Sequence, residues 1–155
     1  MKYRRTAVAL AVKRLQYRHH RAASRALAPL GLSLVQWDTL RHLHQRPDAS
    51  LHDLAVLTFQ TDQSFGSLAV RMADRGLIER FPGPGRVVRH RLTEEGERLR
   101  AAGQDAVSVV VESSFHALTD DQVDQLGDLL GLALGPDPDG VTPVPVPAPG
   151  PGQAR

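Results

Sequence analysis

Two groups of side chains in this sequence have types and spacings that could do chemistry. The first is a polar run at helical spacing: Asp62, Gln63, Gly66, Ser67, Val70 and Arg71 share one outward face, with Thr61 and Ser64 in the first turn. Gln and Ser can hydrogen-bond base edges or phosphates, and arginine at position 71 reaches a phosphate or a guanine. Gly66 costs a helix about 1 kcal/mol relative to alanine, and its small profile lets the helix approach a partner closely. The second group is Arg86, Arg89 and Arg91 around a tight turn. In a strand, Val87, Arg89 and Arg91 share one face and Val88, His90 and Leu92 the other, and Arg86 at the tip suits a narrow minor groove. A solvated helix face and a solvated hairpin are the plain alternatives, but the adjacency of the two groups favours a nucleic-acid partner.

Other chemistry finds less support. The chain has no cysteine, which excludes disulfides, thiolate metal sites, cysteine nucleophiles and thiol redox sensing. It has no Gly-rich phosphate loop, no His-Glu-x-x-His and no Gly-x-Ser-x-Gly, so it is not read as an enzyme. Of the seven histidines, His116 stands i,i+4 from Glu112, and His42 or His44 could complete a zinc set. His42 and His44 diverge by roughly 200° on a helix, so at most one points inward. A zinc-responsive protein is therefore the weaker alternative. His20, Trp37 and Val111 are candidate walls of an organic-ligand pocket, with His19 beside them; for Trp37, plain core is the competing reading. No cofactor is expected, only a small-molecule effector of unknown identity.

The elements that must position these groups are unusually well punctuated. Ser33-x-x-Gln36, Ser50-x-x-Asp53 and Thr119-x-x-Gln122 resemble capping boxes, in which hydroxyl and N3 side chain satisfy each other's amides. Thr93 is a further N-cap, with Glu94, Glu95 and Glu97 placed well against the helix dipole. Gly31, Gly76 and Gly135 follow apolar periodic stretches, where glycine ends helices. These marks predict helices at about 6–28, 33–46, 51–58, 62–75, 94–117 and 120–134. Trp37, Leu40 and Leu43 face in on the second, and Phe65, Leu68, Ala69 and Met72 on the fourth. Two short strands, 77–81 and 87–92, flank Pro82-Gly83-Pro84-Gly85-Arg86. The predicted class is mainly α with a small β-hairpin wing.

Charge and composition divide the chain further. Residues 1–92 hold sixteen Lys/Arg against six Asp/Glu, and residues 93–155 hold three against eleven. A basic front suggests a polyanion partner for that part alone. No apolar run approaches the roughly 20 residues of a membrane span, and no signal peptide is evident, so the expected location is cytoplasmic, with no membrane partner. Residues 136–155, with seven prolines, read as a disordered Pro/Gly-rich tail after a domain of residues 1–135.

Helix, turn, helix and hairpin in that order form the winged helix-turn-helix arrangement. With Gly31-Leu32-Ser33-Leu34-Val35-Gln36-Trp37, Arg75-Gly76-Leu77-Ile78-Glu79-Arg80 and Leu92-Thr93-Glu94-Glu95-Gly96, the chain resembles the multiple antibiotic resistance regulator (MarR) family over residues 6–134. The resemblance implies a winged lobe at about 33–92 and a helical dimerisation region built from helices at about 6–28 and 94–134. It implies a homodimer on a pseudo-palindromic double-stranded DNA operator, acting as a ligand-responsive repressor. A winged-helix protein-interaction module without DNA is the alternative from another class. The candidate DNA contacts are Thr61, Gln63, Ser64, Gly66, Ser67, Arg71, Arg86 and Arg89. Two departures bear on the operator sequence. The family's Asp-Arg-Arg wing tip is replaced by the shorter Pro-Gly-Pro-Gly-Arg, and Gly66-Ser67 stands where a hydroxyl residue followed by Arg is frequent.

Overall fold

The computed structural model describes residues 2–85 and 87–136; the predicted tail from 137 onward and the wing-tip Arg86 lie outside them. The chain runs α1 (Lys2–Leu27), a short 3-10 turn (Ala28–Leu30), α2 (Leu34–Gln45), α3 (Leu51–Leu57), α4 (Asp62–Asp74), β1 (Ile78–Pro82), β2 (Val88–Leu92), α5 (Glu94–Phe115) and α6 (Asp120–Leu134).

The helix starts are made by side chains. The Ser33 hydroxyl accepts from the Gln36 amide at 3.3 Å while the Gln36 side chain accepts from the Ser33 amide at 3.0 Å. The Ser50–Asp53 and Thr119–Gln122 pairs repeat this reciprocal arrangement. Thr61 caps α4 and Thr93 caps α5. Each cap satisfies amides that the first helical turn leaves without a partner. α1 has no acidic residue in its first turn, so no local charge signal marks its start, which lies four residues before the predicted one.

One core joins the winged lobe. Leu40 and Leu43 of α2, Leu54 of α3, Phe65 and Met72 of α4, and Ile78 of β1 are buried together with Leu27 of α1 and Leu99 of α5. β1 and β2 pair antiparallel with Ile78 opposite Leu92 and Pro82 opposite Val88. The hairpin is tied back at its open end, where the Thr93 hydroxyl donates to the Gly76 carbonyl at 2.6 Å. Both strands begin one residue later than predicted; β1 does so because Leu77 belongs to the turn that closes α4, its amide donating to the Met72 carbonyl at 3.0 Å.

α2 meets α5 at a close approach. A Cβ on Gly103 would lie 2.3 Å from Trp37 Cδ1, so only glycine lets the indole lie flat on α5. The Trp37 ring N–H donates to the Arg100 carbonyl at 3.2 Å, which satisfies the one polar atom of an otherwise apolar group. α6 is different: none of its residues is buried, and Leu132 is 81% exposed.

Candidate nucleic-acid interface

α4 is held by its apolar stripe. Phe65, Leu68, Ala69 and Met72 are buried, and Asp62, Gln63, Ser64, Ser67, Val70 and Arg71 stand out from the protein. The predicted register is therefore the observed one. Thr61 sits just before the helix as its N-cap: its hydroxyl accepts from the Ser64 amide at 3.1 Å and donates to the Ser64 hydroxyl at 3.0 Å. The Ser67 hydroxyl donates to the Gln63 carbonyl at 3.2 Å. A Cβ on Gly66 would meet nothing within 4 Å, so this glycine relieves no contact inside the protein. His52 of α3 holds the Asp62 carboxylate at 2.9 Å.

The cations sort by what faces them. Arg41 pairs with Asp38, Arg98 with Glu95 and Arg100 with Glu97. Among the described residues, Arg71, Arg75 and Arg80 have no carboxylate within ion-pair distance, and Arg75 instead donates to the Gln36 side chain at 3.2 Å. Unpaired charge thus lies along α4, the turn that closes it and β1, and also along α1, where Arg14, Arg18 and Arg25 have no carboxylate within ion-pair distance among the described residues.

The wing departs from expectation. Arg89, read from sequence as an outward DNA contact, is half-buried and donates to the Asp48 carbonyl in the loop before α3. Its aliphatic stem packs where a Gly83 Cβ would otherwise be, 2.6 Å from Arg89 Cγ. In this structure Arg89 braces the wing against the lobe. Arg91 pairs with Glu79 at 2.7 Å and lies over the Phe81 ring at 5.5 Å. His90 is buried on the other face, as the strand alternation requires, and burial holds its pKa below the usual histidine value.

The zinc candidates do not converge. His42 is buried, with its Nε2 accepting from Arg41 at 3.0 Å. Burial, with Arg41 adding to it, lowers its pKa to about 4. His44 points away to Glu97 of α5 at 3.1 Å, and His116 bonds the Ser113 carbonyl at 2.7 Å, while Glu112 is exposed. Among the described residues no three His, Cys, Asp or Glu side chains gather.

A cavity of about 740 Å³ opens between α1, α5 and α6, with Leu34 of α2 at one end. His20 and Val111 line it as expected, and Trp37 does not: its ring is spent on Gly103 and Arg100. The remaining walls are apolar apart from Gln16 and His19. The His19 ring stands edge-on to Phe115 at 5.3 Å, and its Nε2 is buried without a hydrogen-bond partner among the described residues. Among the described residues no lysine, arginine or carboxylate lines the space.

A capped α4 presenting a polar face, a preceding α3 packed across it and a hairpin beside it define a winged helix-turn-helix protein. A model of the MarR family matches residues 30–86, the heart of this lobe, and over those residues the chain resembles that family of transcriptional regulators. It is similar to the HTH-type transcriptional repressor IacR of Pseudomonas putida, with 26% identity over 119 residues, covering 76% of this chain and 71% of the relative. Its fold matches a MarR-family transcriptional regulator from Rhodococcus with a TM-score of 0.77 at 22% identity, covering 85% of this chain and 96% of that one. A MarR family protein of Mycobacterium tuberculosis, solved with salicylic acid, matches at 28% identity and a TM-score of 0.66, over 81% of this chain and 93% of that one. The same protein has been solved with DNA and matches in that complex at 26% identity and a TM-score of 0.66, over 83% and 97%.

Proposed function

We propose that this chain is a repressor that binds a pseudo-palindromic DNA operator as a homodimer and is released by a small effector. The observation that carries the reading is the face of α4. Its four buried apolar residues leave Gln63, Ser64, Ser67 and Arg71 outward, beside open space at Gly66. Gln63 can pair with an adenine edge, Arg71 with a guanine or phosphate, and the serines with either. The DNA complex of the Mycobacterium tuberculosis relative supports the same use of the lobe. The effector belongs in the cavity between α1, α5 and α6, held by apolar contact and by the unpartnered His19 nitrogen. The salicylic acid complex of that relative supports a small aromatic ligand.

Among the described residues no helix is long and apolar enough to cross a membrane, in keeping with work on cytoplasmic DNA. The test is selection of bound sequences from a random duplex pool, followed by fluorescence anisotropy across a salt series. One sequence should be enriched, and its affinity should fall steeply as salt rises, as phosphate neutralisation requires. Enrichment of no sequence, or salt-independent binding, would remove the reading.

A further inference from the structure

One backbone pattern closes three helical segments of this chain. After α4 the Leu77 amide donates to the Met72 carbonyl at 3.0 Å and the Gly76 amide to the Ala73 carbonyl at 2.8 Å. After the 3-10 turn, Leu32 and Gly31 make the same pair of bonds to Leu27 and Ala28. After α3 the Gln60 amide donates to the Ala55 carbonyl at 2.8 Å and the Phe59 amide to the Val56 carbonyl at 3.1 Å. This closure forces its middle residue into the left-handed region, with φ of 67° at Gly31, 71° at Gly76 and 55° at Phe59. Glycine is preferred there because a Cβ crowds the following carbonyl. Two of the three turns obey that preference, and the third places a phenylalanine where a bulky side chain is an outlier.

Phe59 gains nothing inside the protein in return. Its side chain is 94% exposed, whereas the aromatic core residue of the neighbouring helix, Phe65, is fully buried. The residues that follow, Gln60 to Ser64, are polar and exposed, so no apolar side chain follows the ring along the chain before the buried Phe65. Strained and exposed side chains persist where function uses them. A protein interface builds its centre from a contiguous apolar patch, and one ring does not make one. A DNA duplex does offer isolated hydrocarbon in a polar frame, as thymine C5-methyl groups and deoxyribose carbons. Phe59 stands two residues before Thr61, at the end of α4 that a major groove receives first.

Resting on the DNA-binding reading above, we infer that Phe59 is an apolar DNA contact, its ring packing on hydrocarbon at the duplex edge beside the first turn of α4. The contact adds affinity, and adds sequence preference where the hydrocarbon is a thymine methyl. Phe59→Gly isolates it, because glycine relaxes the turn while removing the ring. The duplex selected by the natural protein serves as one probe, and the same duplex with uracil in place of thymine as the other. Phe59→Gly should melt higher than the natural protein and bind the selected duplex at least about fivefold more weakly. If the contact is a thymine methyl, uracil should cost the natural protein about fourfold per thymine touched, the worth of one buried methyl group, and should cost Phe59→Gly less. An equal uracil effect in both proteins assigns the contact to deoxyribose. A variant that binds the selected duplex as tightly as the natural protein overturns the inference. So does one that melts lower, since the ring would then have a partner within the fold. If the natural protein selects no sequence at all, the DNA-binding reading falls first, and that outcome is distinct from either of these.

Discussion

A glycine in the middle of a helix is expensive, and Gly66 is offset by nothing in the free protein. Open space beside it means that an added methyl group meets no atom within 4 Å. Gly66→Ala should therefore gain about 1 kcal/mol of helix propensity, seen as an equal or higher melting temperature. The same methyl group projects from a helix whose outward face carries Gln63, Ser67 and Arg71, so operator affinity should fall by at least about fivefold. Melting and anisotropy on one sample check both. A variant that melts lower and binds normally would place Gly66 against the core. The register of α4 was legible in the sequence because four apolar residues at helical spacing leave a single polar face. Arg89 was not legible: the alternation of β2 placed it correctly on the face opposite His90. Its capture by the Asp48 carbonyl depends on a loop forty-one residues earlier in the chain. Trp37 illustrates the same limit, since both a core and a pocket wall want an indole, and only the position of α5 decides between them. Phe59 was overlooked because a phenylalanine before Gln-Thr carries no ordinary turn signal.

At the scale of elements, the contact between α2 and α5 sets how the winged lobe is carried. It consists of the Trp37 indole lying on Gly103, its ring N–H bonded to Arg100, and His44 paired with Glu97. Gly103→Ala forces a carbon to within 2.3 Å of Trp37 Cδ1 unless the helices part. Overpacking of this kind costs about 1–3 kcal/mol. The variant should unfold at lower urea concentration, with Trp37, the only tryptophan of the chain, reporting the transition by fluorescence. Unchanged stability and unchanged emission would mean the two helices are not in contact as described. Element boundaries were the most legible level of the structure, because capping side chains are local. Ser33, Ser50, Thr93 and Thr119 each start a helix where the sequence places them. Which helices touch was not written in any local signal.

For the whole molecule, the single chain leaves a large apolar surface without a partner. α6 buries none of its residues, and on the neighbouring helices Val8 is 58% and Val109 70% exposed. Water-facing apolar surface of that extent marks an association site, and a symmetric pairing of two copies is the commonest way to cover it. Light scattering should return twice the chain mass of 16.9 kDa. A clean monomer at micromolar concentration would overturn the homodimer, and with it the palindromic operator. The charge asymmetry divides along the chain: the carboxylates gather on α5 and α6, and the arginines on α1 and the lobe.

α5 spans both halves of that division as one uninterrupted helix of 22 residues, about 33 Å long at 1.5 Å per residue. Its first turn is fixed to the wing through Thr93 and its next turns to α2 through Trp37, while its last turns form a wall of the cavity. The helix is therefore a lever with its load at one end and its handle at the other. A tilt of about 5° moves the far end of such an arm by about 3 Å, close to the rise of one base pair. Two arms working from a shared fulcrum would change the separation of their tips by more than one alone. On the proposed reading, a ligand that prises α1 from α5 would tilt this arm and so shift the lobe it carries, without altering a single residue of either.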